Sequence, residues 1–393
     1  MKYRKTIPVL VIVTAFSFLI FKAWGPIREF DKIPAYTGAN NFHYAIPLYD
    51  SLKRTVVIVA NNEGTELFDM MAPYYLFNAT GKANVYVVAK NRFPIATKKG
   101  VFVLPQSTFN EFDSLRIKAD VIVIPFLAVA DSANQDPVIV HWIKKHYAAD
   151  VTILSICDGS ATAAATGLYD GKPITAHASD FAAIKSHFSR PLWVKDTSVV
   201  SSGNLFSAAG VSNATDGSLI VINKLFGPIV MEKVIDNIDY PYQAPRLEHR
   251  SNIVNFGDEV SIGKKIFFRK NKKIGVLLQD GLNEFQFAGI MDTYNRTFPQ
   301  SIESISNNNL PVKTKYGLML IPTSEHRSTR LDELHIIDAP SFSISDHSKF
   351  QSADLITYDR RQKQYIIDEC LNRIGVEYGK NFKDIVKRTL DYN

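Results

Sequence analysis

The sequence predicts an α/β protein: a parallel sheet with helices on both faces, followed by a second, shortened copy of the same unit. Three observations carry this. Apolar runs of strand length alternate with stretches of helical period. A cysteine sits where one such run gives way to a helix start. The chain also repeats itself under a shift of 217 residues, which lays Lys272 over Thr55.

The elements follow in order. Thr55 to Ala60 (TVVIVA) is continuously apolar, as a strand buried on both faces requires. Glu66 to Thr80 has helical spacing, and Asn84 to Ala89 is the next strand. Ala119 to Pro125 gives a third strand and Val138 to Tyr147 a helix. Val151 to Ile156 is again a buried strand, and Gly159 to Gly167 a helix. Such alternation means parallel strands joined by helical crossovers. Ligands of these sheets bind beyond the carboxyl ends of the strands, which is where Cys157 falls.

Under the 217-residue shift Thr55 to Pro105 lies over Lys272 to Pro322 without a gap. Gly64, Phe68, Asn78, Thr80, Pro94, Gly100 and Pro105 all recur. "KDIVKRTLDY" near the C-terminus parallels "MEKVIDNIDY" (Met231 to Tyr240). The copy has no counterpart of "SICDGS", and Gln286 stands where the first copy has Asp69. The expected organisation is a full unit at 51–250 and a degenerate repeat at 270–393.

Composition narrows the function class. Of the 393 residues, 46% are hydrophobic and 21% charged, ordinary for a chain with a sizeable core. The net charge of +6 is spread thinly, which predicts no nucleic-acid partner. Two cysteines, Cys157 and Cys370, exclude a disulfide scaffold. Cys370 lies in a helical stretch and reads as packing. Lys2, Arg4 and Lys5 precede an apolar run from Ile7 to Phe21. This predicts an N-terminal membrane anchor over 1–25, with the soluble part outside the cytoplasm; a cleaved signal is the alternative. Residues 26–50, with Pro26, Pro34, Gly38 and Pro47, read as a tether.

A strand that ends in a nucleophile and turns sharply into a helix is a nucleophile elbow. Helix N–H groups near the sulfur favour the thiolate, the reactive form. The local pattern alone fits a small core cysteine equally well. "SICDGSATAAATGLYDGKPITAH" adds more. Its Ser155, Cys157, Gly159, Ala164, Gly167, Leu168, Asp170, Gly171, Thr175 and His177 resemble, in order, the elbow of the ThiJ/PfpI family. The segment is similar to the amidotransferase-like domains of AraC-type regulators and to isonitrile hydratases. "FSAAGVSNATDGSL" and "IDYPYQAP" resemble further family segments, so the likeness spans about 55–245.

The resemblance implies a flavodoxin-like fold of the class I glutamine amidotransferase type. It also implies that Asp69, four residues before Pro73, hydrogen-bonds Cys157 and acts as general acid or base. Burial near a thiolate would keep that carboxyl protonated. Asp158 takes the position after the cysteine. Its backbone N–H is the expected oxyanion donor, and its side chain is expected to cap the helix or face the ligand. Ser160, Thr162, Phe126 and His177 are candidate binding residues. The family's Gly-Gly turn, which supplies a second oxyanion donor, is replaced here by Phe126-Leu127. No metal or cofactor is implied. Two readings stand: a cysteine-dependent hydrolase, hydratase or lyase acting on a small electrophile, and a small-ligand-binding or stress-sensing module. A homodimer is compatible with either.

Overall fold

The computed structural model describes residues 26–392 apart from 31, 39–41, 43–45, 99, 130–132, 307–309, 326–329 and 338–352. The predicted anchor segment lies outside the described residues. Among those described, no helix is long and apolar enough to cross a membrane.

The chain opens its first sheet with β1 (Arg54–Val59), whose Val56 to Val59 are fully buried because helices cover both faces. Glu66 then caps α1 (Leu67–Ala79) by accepting the Asp69 N–H at 2.8 Å. The sheet continues through β2 (Ala83–Ala89). A hairpin of β3 (Ile95–Lys98) and β4 (Val101–Leu104) leaves the layer. After α2 (Phe109–Ser114) come β5 (Val121–Ile124), α3 (Pro137–His146), β6 (Thr152–Ile156) and α4 (Gly159–Ala165). Helix α5 (Phe181–His187) precedes an antiparallel pair, β7 (Val199–Ser202) and β8 (Leu205–Ala208). Helices α6 (Ala214–Phe226) and α7 (Pro228–Asn237) follow. The sheet order is β7-β8-β6-β5-β1-β2, then the short strand Ser107–Thr108, and only the β7 edge runs antiparallel. This is the expected α/β class, with helices on both faces of a mostly parallel sheet.

Helix α8 (Phe256–Phe268) leads into the second unit: β9 (Lys273–Leu278), α9 (Glu284–Asn295), β10 (Ser301–Ser306) and the hairpin β11 (Val312–Lys313) and β12 (Met319–Pro322). Strands β13 (Glu333–Ile337) and β14 (Asp354–Tyr358) complete a parallel sheet. Helices α10 (Ile366–Tyr378) and α11 (Lys380–Thr389) close the chain.

The two units meet about a local two-fold axis. Strands β4 and β12 pair antiparallel, and Val103 pairs with Leu320, its own equivalent under the 217-residue shift. Helices α1 and α9 pack together, with the equivalent rings of Phe68 and Phe285 at 5.3 Å. Both rings belong to one continuous core that spans the two units. The segment read as a tether also docks. Residues 26–30 are helical, Phe30 stacks on Phe298 at 4.7 Å, and Glu29 Oε1 accepts the Ile302 N–H.

Candidate active site

Strand β6 delivers Cys157 to the carboxyl edge of the first sheet. The backbone there must turn into α4 within one residue, and Cys157 pays with φ of 55°, the left-handed region that non-glycine residues avoid. The next turn is equally tight. A Cβ on Gly159 would lie 2.2 Å from the Ile124 carbonyl oxygen, so only glycine lets α4 approach β5. A strained residue held at a strand end is the geometry of an elbow.

Cys157 lines a cavity of about 510 Å³ together with Glu66, Phe126, Asp158 and His177. Cys157 is 5% exposed, and its thiol feels three carboxyl groups. Burial pushes the thiol well up, and the charges of Asp158, Asp69 and Glu66 push it further. The Asp158 N–H, directed at the sulfur, opposes them. The thiol is therefore protonated at rest, contrary to the expectation of a helix-activated thiolate. Helix α4 is a short seven-residue helix, and the carboxyl groups outweigh it.

Asp69 projects from the first turn of α1 and is fully buried. It is not hydrogen-bonded to Cys157 as the resemblance implied. Its Oδ2 accepts the Phe126 N–H at 3.1 Å, and its Oδ1 has no hydrogen-bond partner. Burial, then Glu66, raises the Asp69 pKa well above the carboxylate range. Oδ1 is thus a buried carboxyl oxygen without a hydrogen-bond partner. Phe126 explains the altered turn as well as lining the cavity. Its N–H, the position expected to be lost as an oxyanion donor, is spent on Asp69.

Asp158 does not cap α4; no side-chain hydrogen bond reaches the helix N-terminus. Its carboxyl turns toward Asp180 and the His177 N–H instead, and burial followed by Asp180 raises its pKa well above normal. His177 lines the cavity with Nδ1 2.7 Å from Ser179 Oγ, and burial lowers its pKa, leaving it neutral. Ser160 and Thr162 lie behind the wall. Ser160 Oγ is buried without a partner, and Thr162 Oγ1 donates to Gln135 Oε1 at 2.6 Å, placing Gln135 on the cavity. Both cysteines are free thiols; Cys370 is fully buried beside Tyr358. Among the described residues no group of three His, Cys, Asp or Glu side chains is placed to hold a metal ion.

Several cavity residues escaped sequence reasoning. Glu66 had a local signal, since "TELFD" puts two carboxylates on one turn of α1. Phe30, Lys98, Arg296 and Arg388 had none. They reach the cavity from the N-terminal segment, the β3–β4 hairpin and the second unit.

Residues 53–223 match the model of the DJ-1/PfpI family. An isonitrile hydratase of Pseudomonas putida is 28% identical over 177 residues, covering 45% of this chain and 75% of that protein. Among solved structures, Drosophila melanogaster DJ-1beta is 21% identical with a TM-score of 0.42, over 47% of this chain and 97% of its own. A ThiJ/PfpI family protein from Pseudomonas syringae is 22% identical with a TM-score of 0.42, over 49% of this chain and 78% of its own. The unit that carries Cys157, residues 53–223, is thus similar to the DJ-1/PfpI family.

Proposed function

We propose that the chain is a cysteine-dependent enzyme that adds water to a small electrophile, in the manner of a hydratase or hydrolase. The carrying observation is the strained Cys157 facing a cavity, with the buried Asp69, its Oδ1 unpartnered, among the carboxyl groups that act on its thiol. The sulfur bonds to the electrophilic carbon while a proton passes from the thiol, by way of the Asp69 carboxyl, to the substrate. Water then adds to that carbon, the C–S bond breaks, and the thiol is restored. With an isonitrile the sequence consumes one water and yields a formamide. The isonitrile hydratase relative makes this the first substrate class to test.

The test is formamide production from a panel of small isonitriles, with Cys157→Ala as control. No turnover on any member, together with saturable binding, would favour the second reading, a ligand-binding module. Two observations support that second reading: the thiol is protonated at rest, and the Phe126 N–H is occupied. We further propose that residues 1–25 anchor the protein in a membrane with the catalytic unit outside the cytoplasm. Recovery of the full-length chain in the soluble fraction would refute this. A homodimer would need a surface other than α1, which α9 covers.

A further inference from the structure

Arg296 follows α9 in the second unit, yet its side chain lines the Cys157 cavity of the first. It is 6% exposed. Its Nε donates to the Thr389 carbonyl at 2.9 Å, and its Nη1 donates to Asp292 Oδ1 at 2.5 Å and to the Asp292 carbonyl at 3.0 Å. These bonds fix the guanidinium plane. Nη2 has no hydrogen-bond partner among the described residues. A buried arginine with an unused donor edge on a cavity is a preformed site for an oxyanion.

The repeat sharpens this. Under the shift of 217, Arg296 lies over Ala79, Gln286 over Asp69, and Asn283 over Glu66. The second unit has replaced both acids that would face a pocket of its own by amides. It has placed a cation on the wall of its neighbour's cysteine cavity. Lys98 and Arg388 line the same cavity, and Arg388 is held in place by Asp258. The facing acids are Glu66, Asp158 and Asp180.

We infer that the site is composite, and that the Arg296 Nη2 edge binds the carboxylate of a small organic acid whose electrophilic carbon is presented to Cys157. This rests on Cys157 being the reactive group. It selects, among small electrophiles, those that carry a carboxylate next to the reacting carbon. Recognition and chemistry then come from different units of one chain.

Iodoacetate and iodoacetamide test this, because they share an electrophilic carbon and differ in the carboxylate. Alkylation of Cys157 in the full chain is followed by mass spectrometry at fixed pH. In the parent protein the iodoacetate-to-iodoacetamide rate ratio should exceed that of a free thiol. Arg296→Gln should lower the ratio about tenfold, the discrimination expected for one charge-assisted hydrogen bond. Arg296→Lys should keep much of it. An unchanged ratio in Arg296→Gln, or an equal change in both rates, overturns the inference. Should Arg296→Gln fail to fold, the parent decides: acetate must protect Cys157 from iodoacetamide more than acetamide does, and equal protection overturns the inference. Absence of any Cys157 labelling refutes the reactive-cysteine reading instead, so the two failures are distinct.

Discussion

Two pockets flank the local two-fold axis, and they have diverged in opposite directions. The first holds Cys157, Glu66 and Asp158 in about 510 Å³. The second, about 230 Å³, is lined by Asn283, Gln286, Asn237 and Tyr75 and has no cysteine. One side has a strained thiol among carboxyl groups; the other repeats the fold without a counterpart of the cysteine elbow. The surviving role of the second unit is structural and, through Arg296, electrostatic. A duplicated unit need not keep its own site to remain necessary to the one beside it.

The largest expected effect separates the two cysteines. Cys157→Ala should lower turnover by about a thousandfold or more, the scale for losing a nucleophile. Cys370→Ala, in the core of the second unit, should leave turnover near the parent value and cost only stability. Equal activity in Cys157→Ala and the parent would remove the asymmetry between the pockets. Next is the axis itself. Phe285→Ala opens the shared core opposite Phe68 and should destabilise by about 3–5 kcal/mol in urea unfolding. Because that core is continuous, both units should unfold in one transition. Two transitions would mean the units are independent.

A smaller effect compares equivalent aspartates. "KDIVKRTLDY" laid over "MEKVIDNIDY" puts Asp391 over Asp239, and both take left-handed backbone, φ 52° and 50°. Asp391 is buried, bonds His249 Nε2 at 2.8 Å and accepts the Ala178 N–H. Asp239 is only partly buried. The backbone penalty of alanine is common to both, so the difference isolates the side chain. Asp391→Ala should cost about 1–3 kcal/mol more than Asp239→Ala, through the buried partners left unsatisfied. Denaturant midpoints measure it, and equal losses would deny the C-terminal segment its buttressing role.

What was legible in the sequence was local. The elbow, the buried strands and the helix carrying Asp69 each announce themselves within a few residues. The repeat is legible because its turn residues recur in register. Long-range contacts left no such trace. Nothing near Phe126 says that its N–H will be taken by a carboxyl 57 residues earlier. Nothing near Arg296 says that it will look into the pocket of the other unit. The sequence also misjudged the thiol, because a helix start next to a cysteine is visible while three surrounding carboxyl groups are assembled only by folding.

Asp69→Asn gives the finest discrimination. Asparagine keeps the acceptor for the Phe126 N–H but cannot ionise or deliver a proton. Burial raises the Asp69 pKa above its unfolded value, so the folded state holds a proton that the unfolded chain releases. That contribution is complete below about pH 4, the ordinary carboxylate value, and is lost as pH rises toward the raised one. Relative to the parent, Asp69→Asn should therefore gain stability progressively above about pH 4. Because the Asp69 carboxyl is itself held protonated, the change should leave ionisation of Cys157 near that of the parent. Iodoacetamide should then label Cys157 at about the parent rate while turnover falls, because the proton donor is missing. Labelling and turnover that fall together would instead make Asp69 an activator of the thiolate. The second pocket already carries this change as Gln286, so the variant makes the first resemble the second at the one position where their chemistry divides.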